Sequence, residues 1–293
     1  MLKTLSRALA ALAMLFAPAA YAQARDADPA LWVVKDADTT IYLFGSFHAL
    51  KPGIGWFDDG VKAAFDKSDQ LMLEMVEPDA ATLQTMVVRM ALNPNGPTVT
   101  EQLPADKRDA YTKAMTDAGV PPAMFDRFDP WLPAIAITAA STAKLGYDPA
   151  LGVEKTLTAA ANAAHKPIAG LETAEQQLGY FDGLPAPLQV KFLVSTVDET
   201  DRMGTMLDKM VGEWSAGDPD AIARDMNESL RETPELGKVL LTERNARWAE
   251  WIEKRMAEPG TVFIAVGAGH LAGPDSVQAF LAKRNLKAER VQY

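Results

Sequence analysis

The sequence predicts an α/β (α+β) fold: a central mixed β-sheet built from both ends of the chain, flanked by helices, with a large helical insertion. Three observations carry that prediction. Thr40–Phe44 and Thr261–Val266 are short apolar runs rich in β-branched and aromatic residues, each closed by glycine, as suits strands covered on both faces. Leu71–Val76 has the same apolar character. From about 79 to about 258 the chain reads mainly as helices separated by Pro-, Gly- and Asn-containing breaks.

The first element in order is a targeting segment. Met1–Ala22 carries Lys3 and Arg7, an apolar run from Ala8 to Ala19, and the small-x-small triplet Ala20-Tyr21-Ala22. This predicts a secretory signal peptide cut after Ala22, leaving 23–293 as a single periplasmic or secreted domain. The apolar run is too short to span a bilayer comfortably, and no later stretch is long and apolar enough. The chain has no cysteine, so neither a disulfide nor a lipidated cysteine is available. Its formal charge of −10 becomes −12 once the two basic residues of the leader are removed, which disfavours nucleic acid and anionic membrane as partners.

Leu31–Val34 and Thr40–Phe44 flank the Asp-rich segment 35–39, which reads as a hairpin turn. A helix is expected over Trp56–Lys67, with Phe57, Val61, Ala64 and Phe65 on one face. After the strand Leu71–Val76, helices are expected at Asp79–Leu92, Ala105–Ala118, Trp131–Leu145 and Val153–His165. Pro167–Leu171 reads as a short strand candidate, and Thr173 with Gln176 has the spacing of a capping box for the next helix. Helices at Ala186–Gly212, Asp218–Glu228 and Pro234–Glu258 lead to the strand Thr261–Val266. A helix at Pro274–Arg284 and a strand at Ala288–Gln292 close the chain.

The candidate chemistry gathers at two matching turns, Gly45-Ser46-Phe47-His48 and Gly267-Ala268-Gly269-His270. Glycine permits a sharp turn at the strand end, and the histidine then falls on the rim where open α/β sheets place ligands. Two of the three histidines occupy these positions. Glu74 is a carboxylate within an apolar run: either it lies at an exposed strand end, or it is buried and needs a partner or a metal. Arg244 and Asn245 fall on or beside the stripe of Leu240, Leu241, Trp248, Trp251 and Ile252. A core-facing arginine demands a carboxylate or an anionic ligand, with Glu74 and Glu154 as candidates, and a structural ion pair is the plain alternative.

His48, His270 and Glu74 have the composition of a hydrolytic metal site, and Arg244 and Asn245 could stabilise an oxyanion. A metal-free version uses His48 as general base with Glu74 orienting it. His165 reads as a helix-end residue interacting with the dipole. The sequence contains no His-Glu-x-x-His, no Gly-x-Ser-x-Gly, no cysteine nucleophile and no Gly-rich phosphate loop.

Several landmarks in order resemble the TraB/GumN family, which is related to the Tiki metalloproteases and more distantly to erythromycin esterase and the haem-binding ChaN lipoproteins. They are Leu43–His48, Glu74, Gly146-Tyr147, Gly152-Val153-Glu154, Leu171-Glu172-Thr173 with Gln176-Gln177, Glu243-Arg244-Asn245 and Val266–Leu271. The resemblance implies an α/β fold of the erythromycin esterase and ChaN type. By analogy with Tiki proteins it implies metal-dependent hydrolysis of a peptide or other small substrate. Manganese or cobalt is the implied ion, with zinc also compatible, and Gly45, Gly267, Glu154 and Glu172 support the site. The competing expectation is a haem- or metal-binding protein, or a non-catalytic accessory in envelope polysaccharide biosynthesis.

Overall fold

A computed structural model describes residues 25–229 and 233–293, and the segment read as a signal peptide lies outside them. The strands are β1 (Arg25–Asp26), β2 (Leu31–Lys35), β3 (Thr39–Ser46), β4 (Ile54–Gly55), β5 (Gln70–Met75), β6 (Ile168–Glu172), β7 (Gly260–Gly267) and β8 (Glu289–Arg290). The helices are α1 (Asp59–Lys67), α2 (Ala80–Ala91), α3 (Val99–Gln102), α4 (Arg108–Ala118), α5 (Trp131–Lys144), α6 (Val153–Ala163), α7 (Ala174–Asp182), α8 (Ala186–Glu199), α9 (Met203–Ser215), α10 (Pro219–Ser229), α11 (Pro234–Gly237), α12 (Glu243–Arg255) and α13 (Val277–Ala282). No described helix is long and apolar enough to cross a membrane.

The sheet is the mixed one the sequence predicts, in the order β6-β5-β7-β3-β2-β8, with five strands from the two ends of the chain and β6 from its middle. β6, β5, β7 and β3 are parallel neighbours, while β2 runs antiparallel to β3 and β8. The β2–β3 hairpin closes as its turn chemistry dictates: Asp36 Oδ1 accepts from the amides of Asp38 and Thr39. β6 divides the helical stretch and takes the sheet edge beside β5.

Alternation along β7 shows why the strand is apolar throughout. Phe263 and Ala265 join one core with Phe44, Phe65, Leu73, Leu157 and Trp214, covered by α1, α6, α9 and α10. Val262, Ile264 and Val266 join another with Ile41, Trp248, Ile252 and Leu281, covered by α12 and α13. A third cluster, around Tyr111, Met115, Ile137 and Leu193, belongs to the helices α3, α4, α5 and α8.

Several boundaries differ from the expectation. Ala186–Gly212 is two helices rather than one, parted by a tight 3-10 turn at Thr200–Arg202, where Thr200 Oγ1 bonds back to the Val197 carbonyl. Trp56 precedes its helix and is buried in the core, stacked on Phe44 at 5.4 Å. His165 lies just past the end of α6 in the left-handed region, with φ 53. The last strand shrinks to Glu289–Arg290. The predicted helix Pro234–Glu258 is α11, a π-helical turn at Lys238–Thr242, and α12.

Candidate functional site

Three of the four parallel strands deliver a polar side chain to the same, carboxyl-terminal edge, and the fourth, β7, a glycine amide. Glu172 ends β6, Glu74 is the second-last residue of β5, Gly267 ends β7 and Ser46 ends β3. The register aligns Met75 with Glu172 and Ser46 with Gly267. The two turns that follow β3 and β7 are close neighbours: a Cβ on Gly45 would lie 3.0 Å from the Ala268 Cα. Glycine is needed there for approach, not for an unusual φ. Trp214 Nε1 donates to the Gly45 carbonyl at 2.8 Å and ties this turn to the aromatic core.

On the other side stands α12. The π-helical turn before it shifts the helix register, a feature often found beside functional groups. Arg244 enters the site from its first turn, 8 % exposed. Its Nη2 donates to Glu74 Oε2 at 2.6 Å and to Glu172 Oε2 at 2.8 Å. Its Nε donates to both Glu172 oxygens at 3.1 Å. Its Nη1 donates to the Leu240 carbonyl at 3.2 Å and to His270 Nε2 at 3.1 Å. Every N–H of the guanidinium therefore has an acceptor, which leaves none for a substrate oxyanion in this arrangement. The expected partner Glu74 is found; the second carboxylate is Glu172, and Glu154 is engaged elsewhere.

Hydrogen bonding fixes the state of His270. Arginine can only donate, so Nε2 must be the unprotonated nitrogen. Asn245 donates its Nδ2 to the Asp275 carbonyl at 2.7 Å, which turns its Oδ1 to accept from His270 Nδ1 at 2.6 Å. Burial pushes the imidazole down to about 3, with the charge of Arg244 acting in the same sense, so the ring is neutral at neutral pH. Burial opposes ionisation of Glu74, but the nearby His270 and Arg244 and the Gly267 amide outweigh it and hold the carboxyl well below the usual range. A neutral His270 carries no charge, so the ionic part of that effect comes from Arg244 and the protonated His48. Glu74 Oε1 accepts from the Gly267 amide at 2.7 Å and lies 3.6 Å from His270 Nε2.

His48 is held differently. Its side chain is 74 % exposed, and its Nδ1 lies 2.8 Å from Glu154 Oε1, which also accepts from Ser46 Oγ at 2.5 Å. Glu154, not Glu74, is thus the carboxylate that orients His48. The Glu154 hydrogen bond raises His48 to about 9. A raised pKa means that the pair supports the folded state fully below the ordinary value near 6.5 and loses that support as pH rises through about 9. Glu154→Gln is expected to move the His48 titration toward 6.5, read by NMR of the ring; an unmoved titration would assign the shift elsewhere.

A family model described as the TraB/PrgY/gumN family matches residues 30–290. The chain belongs to this family. Its similarity to the uncharacterized protein YbaP of Escherichia coli (strain K12) is 24 % identity over 253 residues, covering 86 % of this chain and 92 % of that one. An uncharacterized protein of Treponema pallidum (strain Nichols) is 23 % identical over 275 residues, 87 % of this chain and 80 % of its own length. No solved structure gives a significant match.

In this TraB/PrgY/gumN chain the landmarks acquire separate tasks. Gly152 serves the first turn: a Cβ there would run into the His48 carbonyl oxygen, while the next amide, Val153 N, donates to the Phe47 carbonyl at 3.0 Å. Glycine at 152 is thus what lets α6 begin against His48 and present Glu154 to it. Gly152→Ala is expected to cost about 1–3 kcal/mol by overpacking and to separate His48 from Glu154. Thermal unfolding and the His48 titration measure the two effects, and an unchanged pair of values would remove this role.

Gln177 received no role from the sequence, yet its Nε2 donates to Glu74 Oε2 at 3.0 Å and Glu172 Oε2 at 3.3 Å. The signal was the Thr173/Gln176 capping box, which forms and fixes where α7 starts, and hence where the next side chain points. Tyr180 was missed too; its hydroxyl donates to Glu172 Oε1 at 2.9 Å, and its ring lies 5.4 Å from the Arg244 guanidinium. Beside the site, a groove of about 560 Å³ is lined by Met226, Leu241, Asn245 and Gly269, among others. Among the described residues no ready-made group of three or more His, Asp or Glu metal donors is assembled.

Proposed function

We propose that this chain is an exported hydrolase that acts on a peptide or a similar small amide or ester, using a divalent ion held by His48, Glu74 and His270. The carrying observation is the facing pair Glu74 Oε1 and His270 Nε2. They are an ionised oxygen and an unprotonated nitrogen, 3.6 Å apart and buried. Each now accepts from the protein itself, Nε2 from the Arg244 guanidinium at 3.1 Å and Oε1 from the Gly267 amide at 2.7 Å, and a divalent ion between them would replace the Arg244 bond. Their separation is close to the ~3.4 Å that two ligands of a tetrahedral ion keep at metal–ligand distances of about 2.0–2.1 Å.

The donor set also has the right support. Each histidine is anchored at Nδ1 by an oxygen, Glu154 for His48 and Asn245 for His270, which leaves Nε2 as the ligating atom. When bound, the ion supplies Lewis acidity and lowers the pKa of water. The chain's own residues do the rest. Glu74 brings the charge, Arg244 and Gln177 fix its carboxylate, and Asn245 sets the His270 tautomer. The groove beside Asn245 has the size of a small-ligand site and lies next to the second turn.

The His48–Glu154 pair favours a second reading, in which His48 is a general base oriented by Glu154 and no metal takes part; with His48 raised to about 9, such activity would grow as pH rises toward that value. One experiment separates them: metal analysis of untagged protein, with a peptide-library cleavage assay run with and without chelator. Stoichiometric metal and chelator-sensitive cleavage support the first reading. Cleavage that ignores chelator supports the second. Metal bound without any turnover leaves a binding protein.

A further inference from the structure

The acceptors held by Arg244 are not equivalent. Nε and Nη2 serve Glu172 and Glu74, two buried carboxylates that need a neighbouring positive charge. Nη1 serves two neutral groups, the Leu240 carbonyl and His270 Nε2. An unprotonated imidazole nitrogen has a single lone pair, and a hydrogen bond and a metal ion compete for it. The geometry points to Arg244 as a built-in cap on His270: Nη1 must leave the Nε2 lone pair before a divalent ion can bind there. The chain's own cation and the metal then contend for one nitrogen. This rests on the proposed reading of His48, Glu74 and His270 as metal donors.

The surroundings let the cap open without dismantling the site. The guanidinium lies between two aromatic faces, 5.4 Å from the Tyr180 ring and 4.7 Å from the Trp248 ring. It can shift along them while its charge stays desolvated and paired with Glu172. The Leu240 carbonyl that shares Nη1 belongs to the π-helical turn Lys238–Thr242. A cap of this kind lowers affinity for every ion. The cost is the same for each, so selectivity is unchanged, and only an ion with a strong preference for imidazole, such as zinc, keeps a useful affinity after the cost is met.

The test is calorimetric titration of the untagged full chain with ZnCl₂ alone, comparing wild type with Arg244→Lys. Lysine keeps the positive charge, but one ammonium cannot span both carboxylates and His270 Nε2. The variant is expected to bind zinc about tenfold more tightly, the scale of one hydrogen bond from a charged donor. That gain must vanish in Arg244→Lys/His270→Ala, which separates the cap from a general attraction to the carboxylates. Nitrogen NMR of the chain's three histidines is a second readout: the His270 Nε2 signal should move in Arg244→Lys before any zinc is added.

Equal or weaker zinc binding in Arg244→Lys, while wild-type binding depends on His48, Glu74 and His270, overturns the cap and leaves the metal reading standing. No binding by either protein overturns both. If Arg244→Lys does not fold, zinc titration of the wild type decides. The Arg244 side-chain nitrogen signals should then shift in step with His270 Nε2, and a shift of His270 alone overturns the cap.

Discussion

Arg244→Met is expected to lower folding stability by about 3–5 kcal/mol at neutral pH, the range for breaking a buried ion pair from one side. The variant keeps an apolar stem but leaves Glu74 and Glu172, 8 % and 7 % exposed, without their shared cation. The pH dependence gives the mechanism. In the wild type the depressed pKa of Glu74 contributes stability above the ordinary value of 4.5, and that contribution is lost as pH falls through about 2. In the variant the same carboxyl, buried and unpaired, titrates above its ordinary value. Stability should then rise as pH falls through that raised value. Urea unfolding of both proteins from pH 8 to pH 4 should give curves that converge toward acid. Parallel curves, or an unchanged midpoint at neutral pH, would mean that Arg244 is not the charge these carboxylates depend on. Adding Glu74→Gln and Glu172→Gln to Arg244→Met should recover much of the loss, because the cost lies in the orphaned charges rather than in the missing contact.

The same cluster shows what a sequence exposes and what it hides. The strands were legible because β7 alternates between two apolar cores and so must be apolar on both faces. Glu74 and Arg244 were legible as anomalies, since each is charged where its neighbours are buried. Their pairing was only half legible. Glu74 was foreseen as a partner for Arg244, but Glu172 displaced Glu154, because β6 lies next to β5 and brings Glu172 to the same edge as Glu74. That adjacency is set by sheet order, which no local pattern encodes. Glu154 was instead claimed by His48, through a close approach of Gly152 to the first turn that becomes visible only in three dimensions. The π-helical turn before Arg244 was invisible for a related reason. Its residues, Lys238–Thr242, carry no proline or glycine and read as ordinary helix.

Glu74→Gln is expected to reduce hydrolysis by a factor on the order of a thousand or more, the scale for removing a reacting base or a preorganised charge. The change keeps volume and shape, so a contact role would survive it while a charge role would not. It should also be much gentler on the fold than Arg244→Met, because Arg244 retains Glu172 as its partner. A variant that melts near the wild-type temperature yet neither cleaves nor binds a divalent ion ties the charge of Glu74 to the chemistry. His270→Ala completes the argument from the other side. It removes Nε2, and with it one of the two facing acceptors 3.6 Å apart. Metal binding and turnover should then disappear together, while Arg244 keeps both carboxylates and the strand core is untouched. Full hydrolysis in His270→Ala alongside inactivity in His48→Ala would move the chemistry to the His48–Glu154 pair and leave Glu74, Arg244 and His270 as the frame that supports it.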